Sequence, residues 1–223
     1  TRHFMLFSRT VYRGIRQIVS GGLERLQLST GQWSRVAHKK LSDWIDPARM
    51  EANASRSLEN LADELDALLI QSTKEMLPLR ESYAAVVSGG IDSSLLSHYL
   101  VTHGQPKMLV AVNHIGKDLI SSDLSGFEKS LGQHIDVLDI DKGKYAAEII
   151  RCQETSRSPL YSHSFVAQSL MSAYVQSKGC RVMFGGEGAD EFFGGYDAYL
   201  NETVNSDSFS PSPYLSHNMP ELS

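Results

Sequence analysis

The stretch from Tyr83 to Tyr99 constrains the fold more than any other part of the chain. Tyr83-Ala84-Ala85-Val86-Val87 is a short apolar run with β-branched residues, the pattern of a buried strand, and Ser93 to Tyr99 reads as helix. Between them stands Ser88-Gly89-Gly90-Ile91-Asp92, so the chain passes from strand to helix through two glycines. Glycine takes positive φ and lets a ligand approach the backbone, while Ser88, Ser93 and Ser94 add hydroxyls and the helix start adds aligned N–H groups. This composition predicts an anion cradle. It contains no lysine, and G-x-x-x-x-G-K-S/T occurs nowhere in the chain, which disfavours a P-loop nucleotidase. Asp92 would repel phosphate on its own. Beside bound polyphosphate it makes sense as a ligand for Mg²⁺, which takes oxygen ligands and bridges phosphate oxygens.

A second constellation follows another apolar run, Cys180-Arg181-Val182-Met183-Phe184. From Gly185 to Tyr196 the chain carries Glu187, Asp190 and Glu191 among five glycines. Glycine is entropically wasteful in a regular element, so the first half of this stretch should be a loop with its backbone and carboxylates aimed at something. Taken alone, an acidic surface loop explains it as well.

The S-G-G-x-D-S-S string at Ser88 to Ser94 resembles the pyrophosphate loop of the N-type ATP pyrophosphatases, and G-E-G-A-D-E-F-F-G-G-Y at Gly186 to Tyr196 resembles the second signature of the asparagine synthase (glutamine-hydrolysing) family. Thr10-Val11-Tyr12-Arg13-Gly14-Ile15-Arg16-Gln17-Ile18 is similar to the segment that closes the glutaminase domain of that family. The resemblance spans roughly residues 10 to 200. It implies ATP and Mg²⁺ as cofactors and a reaction in which a substrate carboxylate, such as aspartate, attacks the α-phosphate, giving an acyl-adenylate that ammonia or an amine then takes up. By the same resemblance Asp92 and Asp190 match the Mg²⁺-binding aspartates, and Glu187 matches the position that assists the attacking ammonia. Val86, Val112, Gly185 and Gly186 match positions that contact the AMP moiety, with Gly185 where the family usually has Ser. Sheet core explains Val86 and Val112 equally well. Ser88, Gly89, Gly90, Ser93 and Ser94 would hold the β and γ phosphates.

Strand-like runs at 108–113 and 134–140 and helix-like runs near 123–131, 144–152 and 165–177 alternate between the two motifs, which implies a doubly wound, mostly parallel sheet with flanking helices. Ligands bind beyond the carboxyl ends of such strands, so both glycine-rich loops should open on one crevice. Upstream, Ser57 is a plausible cap for a helix with Leu58, Leu61, Leu65, Leu68 and Leu69 on one face, ending before Pro78. Residues 1–45 read as a linker or remnant after a missing glutaminase domain, 46–202 as the synthetase domain, and 203–223 as a polar tail or truncated continuation. The chain has no lysine after Lys178, whereas the family supplies one from its continuation. A partner, either a glutaminase subunit or the missing C-terminal part, is therefore an expectation.

Composition limits the alternatives. With 21 Lys and Arg against 26 Asp and Glu, the net charge of −5 argues against nucleic-acid and membrane-surface partners. Two cysteines, Cys152 and Cys180, without metal or C-x-x-C spacing, together with no long apolar run, point to a cytoplasmic protein. His98, His103, His114 and His163 lack metal-ligand spacing, and His134 beside a strand reads as structural. The reading is an AMP-forming carbon–nitrogen ligase; the alternative is a nucleotide-binding module without turnover, acting as a regulatory or assembly subunit. A tRNA-modifying or NAD-synthesising relative is disfavoured by the G-E-G-A-D-E motif.

Overall fold

The computed structural model describes residues 8–113, 121–157 and 164–195. Contacts gather them into two units: one is Leu58–Ala189, and the other comprises the residues up to Ser57 together with those from Asp190 on. Tyr196, His114, His163 and the 203–223 segment, all named above, lie outside the described residues.

In the N-terminal unit the chain forms an antiparallel hairpin, β1 (Gly22–Gln27) and β2 (Gln32–His38), that the sequence reading did not place. Its alternation is hard to see because neither strand encloses a core: Leu23, Trp33 and Val36 are 58, 61 and 45% exposed. The Arg35 Nε to Glu24 Oε1 contact, 3.2 Å, crosses the hairpin on its surface. Asp46 then caps α1 (Pro47–Ala54), its Oδ1 accepting from the Ala48 and Arg49 amides at 3.0 and 3.3 Å while Pro47 takes the position where no amide proton is needed.

The second unit is the α/β body. It opens with α2 (Leu58–Met76), as the leucine spacing predicts, although Leu58 and Leu68 stay exposed and Thr73 is the helix's buried residue. The rest runs β3 (Tyr83–Val86), α3 (Ile91–His103), β4 (Met108–Asn113), α4 (Ser121–Leu131), β5 (Ile135–Asp139), α5 (Lys142–Ser156), α6 (Ser164–Ser177), β6 (Val182–Phe184) and the short α7 (Ala189–Phe193), which runs on into the other unit. Tyr99 of α3 donates to Asp66 Oδ1 of α2 at 2.5 Å, tying the two helices; burial, reinforced by that carboxylate, pushes its phenol up to about 12.

The four strands are all parallel, in the order β5-β4-β3-β6. Ala84, Ala85, Leu109, Val110 and Ala111 are fully buried, which is why these strands read as continuous apolar runs: helices cover both faces. Ala85, Val87, Leu109 and Ala111 pack with Leu100 of α3 and Leu124 of α4, and Ala84, Met108 and Val110 pack on the other face with Val175 of α6. Each fully buried leucine contributes roughly 1.5–3 kcal/mol to this core. From β3 the chain winds outward through β4 and β5, then returns to lay β6 along the opposite side of β3. The crossovers that leave β3 and enter β6 therefore diverge, and the crevice of a doubly wound sheet opens at such a switch point.

Candidate functional site

The first predicted loop leaves the carboxyl end of β3 at this switch point. Gly89 adopts φ +83°, a left-handed turn that excludes an L side chain even though a Cβ would meet nothing within 4 Å. Around that turn the serines knit the loop to the helix. Ser93 Oγ accepts from the Ser88 amide at 3.0 Å, lies 2.8 Å from Ser88 Oγ, and donates to the Gly90 carbonyl at 3.2 Å. Ser93 is 6% exposed, so this knot is part of the packed structure. Gly90 is the N-cap of α3 and has no side chain to satisfy the first-turn amides, which leaves those N–H groups and the positive end of the helix for an anion. Ser94 and Asp92 occupy this first turn, both half-buried.

The second loop leaves β6, the strand next to β3. Residues 185–188 are irregular, as the glycines require, and α7 follows. Here the two motifs meet. A Cβ built on Gly186 would stand 3.1 Å from Asp92 Cβ, 3.2 Å from the Ser93 amide nitrogen and 3.3 Å from the Asp92 carbonyl carbon. Glycine at 186 is what lets the second loop lie against the first turn of α3. One residue on, Glu187 Oε1 accepts from Gln168 Nε2 of α6 at 2.8 Å. Gln168 was not a predicted residue, because nothing in its sequence neighbourhood marks a helix position 19 residues upstream as a partner of the acidic loop. Asp190 falls in the first turn of α7, in the other unit, where its carbonyl accepts from the Gly195 amide at 3.0 Å.

Val86 and Val112 sit in core clusters with Met183 and with Ile140, Ala167 and Met171, on the α6 face of the sheet near its carboxyl edge. Among the described residues no three His, Cys, Asp or Glu side chains converge to cage a metal. His134 is exposed, with Nδ1 2.7 Å from Glu128 Oε1, which also accepts from the Ile135 amide. That amide, more than the imidazole, holds the Glu128 carboxyl below its ordinary value. Both cysteines are free and buried, and burial pushes the Cys180 thiol up. A groove of about 700 Å³ opens between α5, α6 and β6, lined by Glu148, Arg151, Ser169 and Arg181 among others, and contains none of the predicted site residues. No helix among the described residues is long and apolar enough to cross a membrane.

Residues 64–222 match the family model for asparagine synthase, a span that includes both loops and the whole sheet. The chain belongs to the asparagine synthase family. The chain is 24% identical over 91% of its length to a protein of Penicillium rubens, "Amidase chyE", covering 32% of that protein. It is 27% identical over 78% of its length to the "Probable asparagine synthetase (glutamine-hydrolyzing)" of Acanthamoeba polyphaga mimivirus, covering 30% of it. The chain thus spans about a third of the length of the curated relatives it matches. The parallel α/β sheet expected from the two motifs is the architecture observed for this asparagine synthase domain.

Proposed function

We propose that this chain is the ATP-binding core of an amide-forming ligase that adenylates a substrate carboxylate, releases pyrophosphate, and passes the acyl group to ammonia or an amine with release of AMP. The observation that carries the reading is the seating of the Gly186 loop on Asp92 and Ser93, beside a cradle whose helix amides are uncapped. In this reading Ser88, Gly89, Gly90, Ser93 and Ser94 hold the β and γ phosphates, and Val86, Val112, Gly185 and Gly186 border the nucleoside. Mg²⁺ needs only one or two carboxylates from the protein and takes its remaining ligands from phosphate and water. Asp92 and Asp190 would hold it. When bound, the ion neutralises charge on the leaving pyrophosphate. Glu187, held at one oxygen by Gln168, keeps its other oxygen to orient the amine and take its proton. Aspartate and ammonia are the proposed substrates, the rest of the synthetase or a glutaminase subunit the proposed partner, and the cytoplasm the proposed location.

The test is Mg²⁺-dependent conversion of ATP to AMP and pyrophosphate by the purified chain, with ammonia and a panel of carboxylates including aspartate. Pyrophosphate formation that Asp92→Ala and Asp190→Ala each abolish is expected. ATP binding with no pyrophosphate for any carboxylate would refute turnover by this chain alone.

A further inference from the structure

Glu187 stands on a stretch of backbone that cannot aim it. Gly186 precedes it and Gly188, at φ +95°, follows it, so neither chain neighbour has a Cβ to narrow the conformations of the loop. The residue is exposed, so a substrate can reach its carboxylate. A base must lie within hydrogen-bond reach of the proton it takes, and a misplacement of about 1 Å costs on the order of a hundredfold in rate. A group outside the loop therefore has to hold this side chain.

That hold comes from α6. Gln168 Nε2 donates to Glu187 Oε1 at 2.8 Å, and among the described residues the Glu187 side chain has no other hydrogen-bond or ion-pair partner. Both residues belong to the Leu58–Ala189 unit. The anchor itself is fixed, because Val166, Ala167, Met171 and Val175 of the same helix are buried. The next residue, Ser169, is tied to α5: Arg151 Nη2 donates to its Oγ at 2.6 Å, while Arg151 Nε donates to the buried Glu148 at 2.8 Å. The chemistry of the anchor matters as much as its place. A glutamine amide donates a hydrogen bond without surrendering the proton and carries no charge, so it occupies one carboxylate oxygen and leaves the other free to accept. A lysine or arginine at 168 would pair with the carboxylate and compete with an incoming ammonium or amine, and an apolar residue would leave the carboxylate to swing with its loop.

We propose that Gln168 is a positioning residue for the amine-transfer half of the reaction, acting only through Glu187. The inference rests on the adenylation reading above and adds to it the group that makes amide formation depend on α6. Its signature is a change in how adenylation and transfer are balanced, since the phosphate cradle belongs to the other loop.

The experiment uses the full 223-residue chain as wild type, Gln168→Leu, Glu187→Gln and the double variant, with Mg²⁺-ATP, aspartate and ammonia. Isotope exchange between pyrophosphate and ATP reads adenylation, amide formed reads transfer, and the quantity compared is the ratio of the two. Gln168→Leu is expected to lower that ratio by about tenfold, and the double variant should lie no lower than Glu187→Gln, because one residue works through the other. Should the leucine variant fail to melt cooperatively, Gln168→Ala takes its place with the same expectation, alanine being the best helix former. A ratio that stays at the wild-type value, even if both rates fall together, assigns Gln168 to structure alone and overturns the inference. Losses that multiply in the double variant overturn it too. The contact is read without turnover from the side-chain amide resonance of Gln168, which should move in Glu187→Ala; a resonance that does not move overturns the inference and leaves the adenylation reading standing. A wild type that exchanges pyrophosphate but forms no amide overturns the part given to Glu187, and that of Gln168 with it. A wild type with no exchange overturns the adenylation reading, and this inference falls with it.

Discussion

Gly186→Ala against Gly185→Ala is the sharpest test of how the two loops fit together. Neither glycine has a positive φ, so alanine strains neither backbone, and the pair differs only in what the new methyl meets. At 185 the nearest atom is Glu187 Cγ at 3.9 Å, an ordinary contact. At 186 the methyl lies 3.1 Å from Asp92 Cβ and 3.2 Å from the Ser93 nitrogen, against an optimum of about 3.5–4.0 Å between carbons, and both neighbours are held in the first turn of α3. The loop must therefore back away by several tenths of an ångström. Overpacking of this kind costs about 1–3 kcal/mol, and because the loop is partly exposed we expect the low end, about 1 kcal/mol, or about 3–6 °C in melting temperature for a unit of this size. Mg²⁺-ATP affinity should fall in Gly186→Ala, as the loop leaves the helix start, whereas Gly185→Ala, whose methyl meets only an ordinary contact, should keep the melting temperature of the wild type. Thermal unfolding by circular dichroism and titration calorimetry read the two quantities. Equal melting temperatures and equal affinities for the two variants would refute the close seating of the loops and the site built on it.

Three further outcomes follow from individual side chains. Ser93→Ala removes the acceptor of the Ser88 amide and the contact to Ser88 Oγ, so stability should fall by about 1–3 kcal/mol and ATP should protect the variant less against melting than it does the wild type. Ser97, fully buried on α3 with no partner for its Oγ among the described residues, predicts the opposite sign: Ser97→Ala should raise the melting temperature, by removing an unsatisfied hydroxyl and placing a better helix former, and a lower one would show that the hydroxyl has a partner. The buried Glu148 accepts from Arg151 Nε at 2.8 Å, and these hydrogen bonds hold its carboxyl below its ordinary value of 4.5. A depressed carboxyl stabilises the fold above its unfolded pKa and loses that contribution as pH falls through the folded value, so Glu148→Gln should be destabilised at neutral pH by a margin that closes below about pH 4.5. A margin independent of pH in urea unfolding would exclude the ion pair as its cause.

How far the sequence carries depends on whether a residue's environment is local. β4 is read to its bounds, 108–113, because a strand buried on both faces is apolar along its buried length, here Met108 to Val112. The two loops are legible for a related reason: glycine after a buried strand is costly unless the backbone itself is needed, at Gly89 for its φ and at Gly186 for close approach. Helix starts are less exact. The expected start at Ser93 lies two residues inside α3, because Gly90 caps it with backbone alone, and α5 begins at Lys142, where Asp141 accepts from the Lys144 amide. The hairpin at 22–38 is illegible since its strands enclose no core, so no period of two is imposed on its apolar residues.

Side chains that act across the fold are the residues a linear reading passes over. Gln168 reaches Glu187 from α6, and Asn113 donates through Nδ2 to Asp139, 26 positions away on the next strand. Neither pairing leaves a trace in local composition: a glutamine on a helix and an asparagine at a strand end are ordinary by themselves. What makes them distinctive is topology. Returning the chain to lay β6 beside β3 puts Gly186 against the first turn of α3, while the β4–β5 ladder sets Asn113 beside the Asp139 carboxylate. The strand order thus brings the first-turn amides of α3, which receive no side-chain cap from Gly90, to the carboxyl edge of the sheet beside the loop that follows β6. The phosphates of a nucleotide carry the complement of those amides, anionic oxygens.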